Sequence, residues 1–172
     1  MIKKMNLLKK DISLIAINQD DYEATRNEIL DKLTNKMAIK GIYITLNKKS
    51  SELVIELQNN GINPDNLFFI DAISAKTSLK NVETTTTKGS LTELSIILTK
   101  VATPGTYDFI MLDSINSLLN YDNNDKEVVQ FVKFLINKAK YLFVKGVFLS
   151  IDNPSVNNLL KTISIEINSS QL

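Results

Sequence analysis

Short, nearly continuous apolar runs alternate along this chain with segments whose apolar residues recur at helical spacing, and that alternation most constrains its fold. The runs are Ile12–Ile17, Ile42–Leu46, Leu67–Ile70, Tyr107–Leu112 and Gly146–Ile151. They lack the apolar–polar alternation of a strand with one wet face, so they are expected to be buried on both sides of a sheet. Between them, Tyr22, Ile29, Leu30, Leu33 and Met37 share one helical face, as do Leu53, Val54 and Leu57. Leu91, Leu94, Ile97, Leu98 and Val101 form a third such stripe, and Val129, Val132, Leu135, Ile136 and Leu142 a fourth. Repeated strand–helix–strand units predict an α/β fold with a mainly parallel sheet between two helical layers, three layers (α/β/α) in all.

Local signals place the element ends. Asp20 with Glu23, and Ser90 with Glu93, read as capping boxes, and Ser50 as an N-cap. Gly61 is expected at a left-handed position closing its helix, and Pro104-Gly105 ends another. Asn124 with Glu127 opens the longest helix, through about Phe143, and Asn153-Pro154 opens a further one through about Lys161. In the polar stretch Ser74–Gly89, the β-favouring run Thr84–Thr87 predicts a short edge strand. Ile163, Ile165 and Ile167 alternate with polar residues and predict a half-buried terminal strand. With no linker or composition shift, residues 1–172 read as a single domain.

Composition removes several kinds of chemistry. The chain has no cysteine, hence no disulfide or thiolate metal site, and no histidine, hence neither the usual general base nor the commonest metal ligand. No metal site is expected. Its formal net charge is +1 and its single arginine is Arg26; the densest lysine cluster, Lys36, Lys40, Lys48 and Lys49, reads as solvated surface, so no nucleic-acid partner is expected. Met1–Lys10 reads as a lead-in to the first strand, its apolar stretch too short for a signal sequence or a membrane span. The expected location is the cytoplasm, with no membrane partner.

Ligands of open parallel sheets bind beyond the carboxyl ends of the strands. The polar residues falling there are Asn18, Gln19, Asp20 and Asp21, then Asn47, Asp71, Asp113 with Ser114, and Asp152. Tyr107-Asp-Phe-Ile-Met-Leu-Asp-Ser114, an apolar strand ending in an acid, is similar to a Walker B strand, whose aspartate holds nucleotide-bound magnesium. Gly41-Ile-Tyr-Ile-Thr-Leu46, Asn66-Leu-Phe-Phe-Ile-Asp-Ala-Ile73, Gly89-Ser-Leu-Thr-Glu-Leu-Ser-Ile96, Phe131-Val-Lys-Phe-Leu-Ile136 and Gly146-Val-Phe-Leu-Ser150 extend the likeness in order along most of the chain. Together they resemble the RecA/KaiC-like ATPase superfamily, and within it a small, largely archaeal KaiC-like group. The resemblance implies a RecA-like core.

The departures from that pattern bear on function. A phosphate loop needs glycines, a lysine and a Ser/Thr after the first strand. Here Asn18-Gln19-Asp20-Asp21 stands in that place, no glycine precedes Gly41, and no Gly-Lys-Ser/Thr occurs. Asp20, Asp21 and Glu23 put negative charge where a polyphosphate would sit on a helix start. The glutamate that the resemblance implies after the second strand is replaced by Asn47-Lys48-Lys49. The expected function is therefore a non-catalytic, P-loop-less RecA/KaiC-like domain with no catalytic residue and no cofactor. It would regulate or scaffold through protein contacts, with a second copy or a RecA/KaiC-like relative. Phe131 and Phe134, at the edge of the long helix's apolar stripe, are the candidate contact residues. The alternative is a protein or ATPase that binds Mg-ATP, or a metal gathered by Asp71, Asp113 and Asp152, at an unconventional site.

Overall fold

The computed structural model describes residues 11–121 and 124–169, the last five by backbone alone; the lead-in assigned to Met1–Lys10 lies outside them. The strands are β1 (Ile12–Ile17), β2 (Gly41–Thr45), β3 (Leu67–Asp71), β4 (Val82–Thr84), β5 (Phe109–Asp113) and β6 (Lys145–Ile151). They form one sheet in the order β1-β6-β5-β2-β3-β4, every neighbouring pair parallel. The helices are α1 (Tyr22–Leu30), which continues through π-type turns at Asp31–Lys36, α2 (Ser50–Asn59), α3 (Leu91–Val101), α4 (Ile115–Tyr121), α5 (Asp125–Leu142) and α6 (Pro154–Ser169).

Successive side chains of a strand point to opposite faces, and both faces here are dry. Tyr43, Phe69, Phe109, Met111, Val147 and Leu149 meet Leu30 and Leu33 of the α1 segment and Leu53 and Leu57 of α2. Their neighbours Ile42, Ile44, Ile70, Ile110, Leu112 and Phe148 belong to the other core, with residues of α3, α4, α5 and α6. This is the expected three-layer α/β/α arrangement. Two cores explain why the strand runs are almost wholly apolar, since each fully buried large side chain contributes about 1.5–3 kcal/mol.

Glycine is decisive at two places. Gly41 opens β2 where an added Cβ would stand 2.1 Å from the Phe109 ring, so no side chain fits there. Gly61, at φ +70°, closes α2: its N–H bonds Gln58 O at 3.0 Å and that of Ile62 bonds Leu57 O at 2.9 Å. These are the paired hydrogen bonds of a Schellman turn, and Gly61 takes the left-handed position expected of it.

Several expectations are corrected. The isoleucines of the supposed terminal strand lie in α6, which runs on to Ser169; Val156, Leu159 and Ile163 are buried, and their spacing fits one helical face. Asp20 caps nothing: Gln19–Asp21 is a 3₁₀ turn, and neither it nor α1 has a side-chain cap. Ser50 is the first residue of α2, not its cap, because its hydroxyl bonds Asp71 instead. Ser90 does accept from Glu93 N, but the Glu93 carboxylate turns to Thr86 and Thr87. The edge strand lies at Val82–Thr84, ahead of most of the threonine run. Helix α4, directly after Ser114, had no sequence signal assigned to it.

Candidate functional site at the strand ends

Strands β2 and β5 are neighbours, yet the chain leaves β2 for β3 on one side and β5 for β6 on the other. The crevice beyond their carboxyl ends is the switch point of the sheet. Thr45 of β2 stands in register with Asp113 of β5 and Asp71 of β3. The two acids therefore flank one strand, about 10 Å apart at two strand spacings.

Asp113 is 1% exposed. Tyr22 Oη donates to its Oδ1 at 2.5 Å, Tyr43 Oη donates to its Oδ2, and Arg26 Nη1 lies 3.6 Å from Oδ2. Tyr22 and Arg26 reach it together because residues four apart on α1 share a face. Burial, and then the Asp113 charge, push both tyrosine hydroxyls far above the ordinary phenol value, so they remain donors. Arg26 also pairs with Glu56 of α2, and Glu56 Oε2 accepts from Lys48 Nζ at 2.6 Å. Lys48 Nζ reaches Glu23 Oε1 of α1 at 3.2 Å. Charges of alternating sign thus run from Asp113 across α1 and α2, and among the described residues no buried side-chain polar atom lacks a partner. The space between the Asn18–Tyr22 turn and Asp113 is filled by Tyr22 and Arg26, which are 7% and 3% exposed.

Asp71, fully buried, is held differently. Its Oδ2 accepts from Ser50 N, Ser50 Oγ and Ser74 Oγ at 2.7–2.8 Å, and its Oδ1 from Ile73 N and Ser74 N at 2.8–2.9 Å. Burial alone would raise its pKa, but the bonds from Ser50 and Ser74 outweigh it and hold the carboxyl below the usual range. Asp71 ties the end of β3 to the start of α2.

The remaining sequence candidates are scattered. Asn18, Gln19, Asp20, Asp21 and Asn47 are exposed, and Ser114 is buried with its Oγ 3.0 Å from that of Ser117. Asp152, also exposed, accepts from Asn157 Nδ2 at 2.8 Å. Asp71, Asp113 and Asp152 are not gathered, and among the described residues no three Asp or Glu side chains cluster as metal ligands do. Phe131 is a core residue, 4% exposed, which leaves it little surface to offer a partner; Phe134 is half-buried, its ring 6.1 Å from that of Phe131. A groove of about 770 Å³ between α5 and α6, lined in part by Val129 and Leu159, lies on the other face of the sheet from Asp113. Among the described residues no helix is long and apolar enough to cross a membrane.

Sequence reasoning missed Arg26, Tyr43 and Glu56. A signal for Arg26 was present: it falls on the stripe of Tyr22, Ile29, Leu30 and Leu33, and an arginine on a buried stripe needs an acid partner.

The sequence matches no protein-family model and no curated protein. The structure is similar to the crystal structure of a KaiC-like protein from the hyperthermophilic archaeon Pyrococcus horikoshii, with a TM-score of 0.57 and 12% identity. The match covers 82% of this chain and 62% of that one, so the chain spans about three-fifths of its neighbour's length. At that identity the likeness speaks for the fold alone: a three-layer α/β/α architecture of the RecA/KaiC-like kind.

Proposed function

We propose that this chain is a non-catalytic RecA/KaiC-like domain, akin to the KaiC-like group its sequence resembles, that regulates or scaffolds through protein–protein contacts in the cytoplasm and carries no nucleotide. The observation that supports this most is the burial of the Asp113 carboxylate, with a hydrogen bond on each oxygen and Arg26 beside it. A carboxylate that is to hold nucleotide-bound magnesium needs free lone pairs facing an open crevice. That of Asp113 is buried under Tyr22, Tyr43 and Arg26. The sequence supports the same reading, with exposed Asp20 and Asp21 in the turn where phosphate-binding glycines would stand. Lys48, in place of an acid after β2, is occupied by Glu56 and Glu23.

Calorimetric titration of ATP with magnesium into the wild type and into Asp113→Asn tests the reading. No saturable heat is expected from either protein. Magnesium-dependent binding by the wild type that Asp113→Asn abolishes would overturn it in favour of an unconventional nucleotide site.

A further inference from the structure

Helix α2 ends on two local demands that meet in one dipeptide. Asn60, its C-cap, sends its side-chain Nδ2–H back to Glu56 O at 2.8 Å and so gives a carbonyl of the last turn a partner. Gly61 follows at φ +70°, where an added Cβ would meet nothing within 4 Å, so the backbone angle and not crowding calls for glycine. Asn60-Gly61 is the one Asn-Gly pair of the chain, and both residues are exposed.

Asparagine is a thermolabile residue, and most of all before glycine, whose missing side chain leaves its backbone nitrogen unshielded. That nitrogen, once it gives up its proton, attacks Cγ of the asparagine side chain. The Cγ–Nδ2 bond breaks, ammonia leaves and a succinimide ring closes. Water then opens the ring at either carbonyl, giving aspartate or, with Cβ drawn into the main chain, isoaspartate. The fold holds the reacting atoms out of this reaction. Gly61 N–H is donated to Gln58 O at 3.0 Å, and Asn60 Nδ2 to Glu56 O. The turn that follows is clamped from the π-type segment: Asn35 Nδ2 donates to Gly61 O at 2.8 Å, and its Oδ1 accepts from Asn63 N at 3.0 Å. Buried Ile62 bonds back to Leu57 O at 2.9 Å.

We propose that Asn60 is a spontaneous modification site gated by this cap: it converts to aspartate or isoaspartate when the turn after α2 opens, and the product cannot rebuild the cap. An aspartate in place of Asn60 has no N–H for Glu56 O and sets a negative charge at the carbonyl end of the helix dipole. Isoaspartate lengthens the main chain by one atom, so the bonds of Gly61 and Ile62 no longer fall together on Gln58 O and Leu57 O. Each opening that ends in ring closure thus weakens the end of α2 irreversibly.

Peptide mapping by mass spectrometry of the full chain, kept at mildly alkaline pH either folded or in guanidinium chloride, tests this independently of the nucleotide titration. Unfolded, Asn60 is expected to convert ahead of every other asparagine. Folded, it is expected to convert at least ~10-fold more slowly, because the reaction waits for local opening. Asn35→Ala cuts both bonds of the clamp and leaves Asn60 and Gly61 in place, so it is expected to speed conversion in the folded protein about fivefold. Asn60→Asp, the reaction's own product, is expected to melt about 3 °C lower than the wild type. Should Asn35→Ala fail to fold, the wild-type rates with and without denaturant and the melting of Asn60→Asp decide. Equal rates in the folded and unfolded wild type, another asparagine reacting first in denaturant, a folded Asn35→Ala no faster than the wild type, or an Asn60→Asp as stable as the wild type would overturn the inference.

Discussion

Taking the Asp113 carboxylate out of water costs several kcal/mol unless hydrogen bonds and an opposite charge replace its hydration. Tyr22, Tyr43 and Arg26 replace it, and the cost of removing any of them is therefore larger than for an exposed pair. Tyr43→Phe keeps the ring packed against Phe69 and deletes one donor to a charge, so urea unfolding is expected to show a loss of about 2 kcal/mol with an unchanged m-value. Asp71 makes a pH-dependent contribution. Its folded pKa is depressed, so its stabilisation is complete above the ordinary aspartate value of about 4 and is lost as pH falls below that towards the folded value. Melting temperature followed between pH 6 and pH 3, roughly the carboxylate range, should fall less steeply in Asp71→Asn than in the wild type. A matching slope in the two proteins would count against that role. At this scale the sequence was half legible. Asp71 and Asp113 were visible as acids ending apolar strands, but the groups that hold them come from residues as far as 91 positions away, and no local pattern carries such a contact.

Elements were read best where burial imposes a period, and worst where two periods fit. Every strand on both cores was found, because a run buried on both faces has little composition other than apolar. The stretch at Ile163–Ile167 alternates like a strand, yet Val156, Leu159 and Ile163 also suit a helix, and packing on the face with α5 decided for the helix. Caps were misjudged where a distant acid competed, as Asp71 does for Ser50. Helix α5 ends in a further surprise: its C-cap is Phe143 at φ +56°, with a side chain 97% exposed. A left-handed conformation costs a non-glycine residue about 1–2 kcal/mol, and a ring in water returns none of it. Phe143→Gly is therefore expected to raise stability by about 1 kcal/mol, seen as a melting temperature a few degrees higher. Gly41→Ala, at the mouth of β2, is expected to do the reverse, because its Cβ would overlap the Phe109 ring. An equilibrium loss of several kcal/mol, or failure to express folded protein, is the expected outcome there.

For the whole molecule, a parallel α/β/α sandwich could be read from the sequence, but the strand order could not. Insertion of β6 between β1 and β5 depends on which helices share a face, a property of the assembled layers. That order brings Tyr22 and Arg26 of α1 over the end of β5, filling the crevice where sheets of this kind take ligands. Asp113 in this arrangement holds the fold together, whereas an aspartate kept for magnesium would be dispensable for folding without its ligand. Thermal unfolding of the wild type and of Asp113→Asn, each with and without millimolar Mg-ATP, separates the two. The structural role predicts a melting temperature about 10 °C lower in Asp113→Asn, from a loss of about 3 kcal/mol, and no response to nucleotide in either protein. A wild type stabilised by Mg-ATP, beside a ligand-free Asp113→Asn that melts no lower than the wild type, would contradict it.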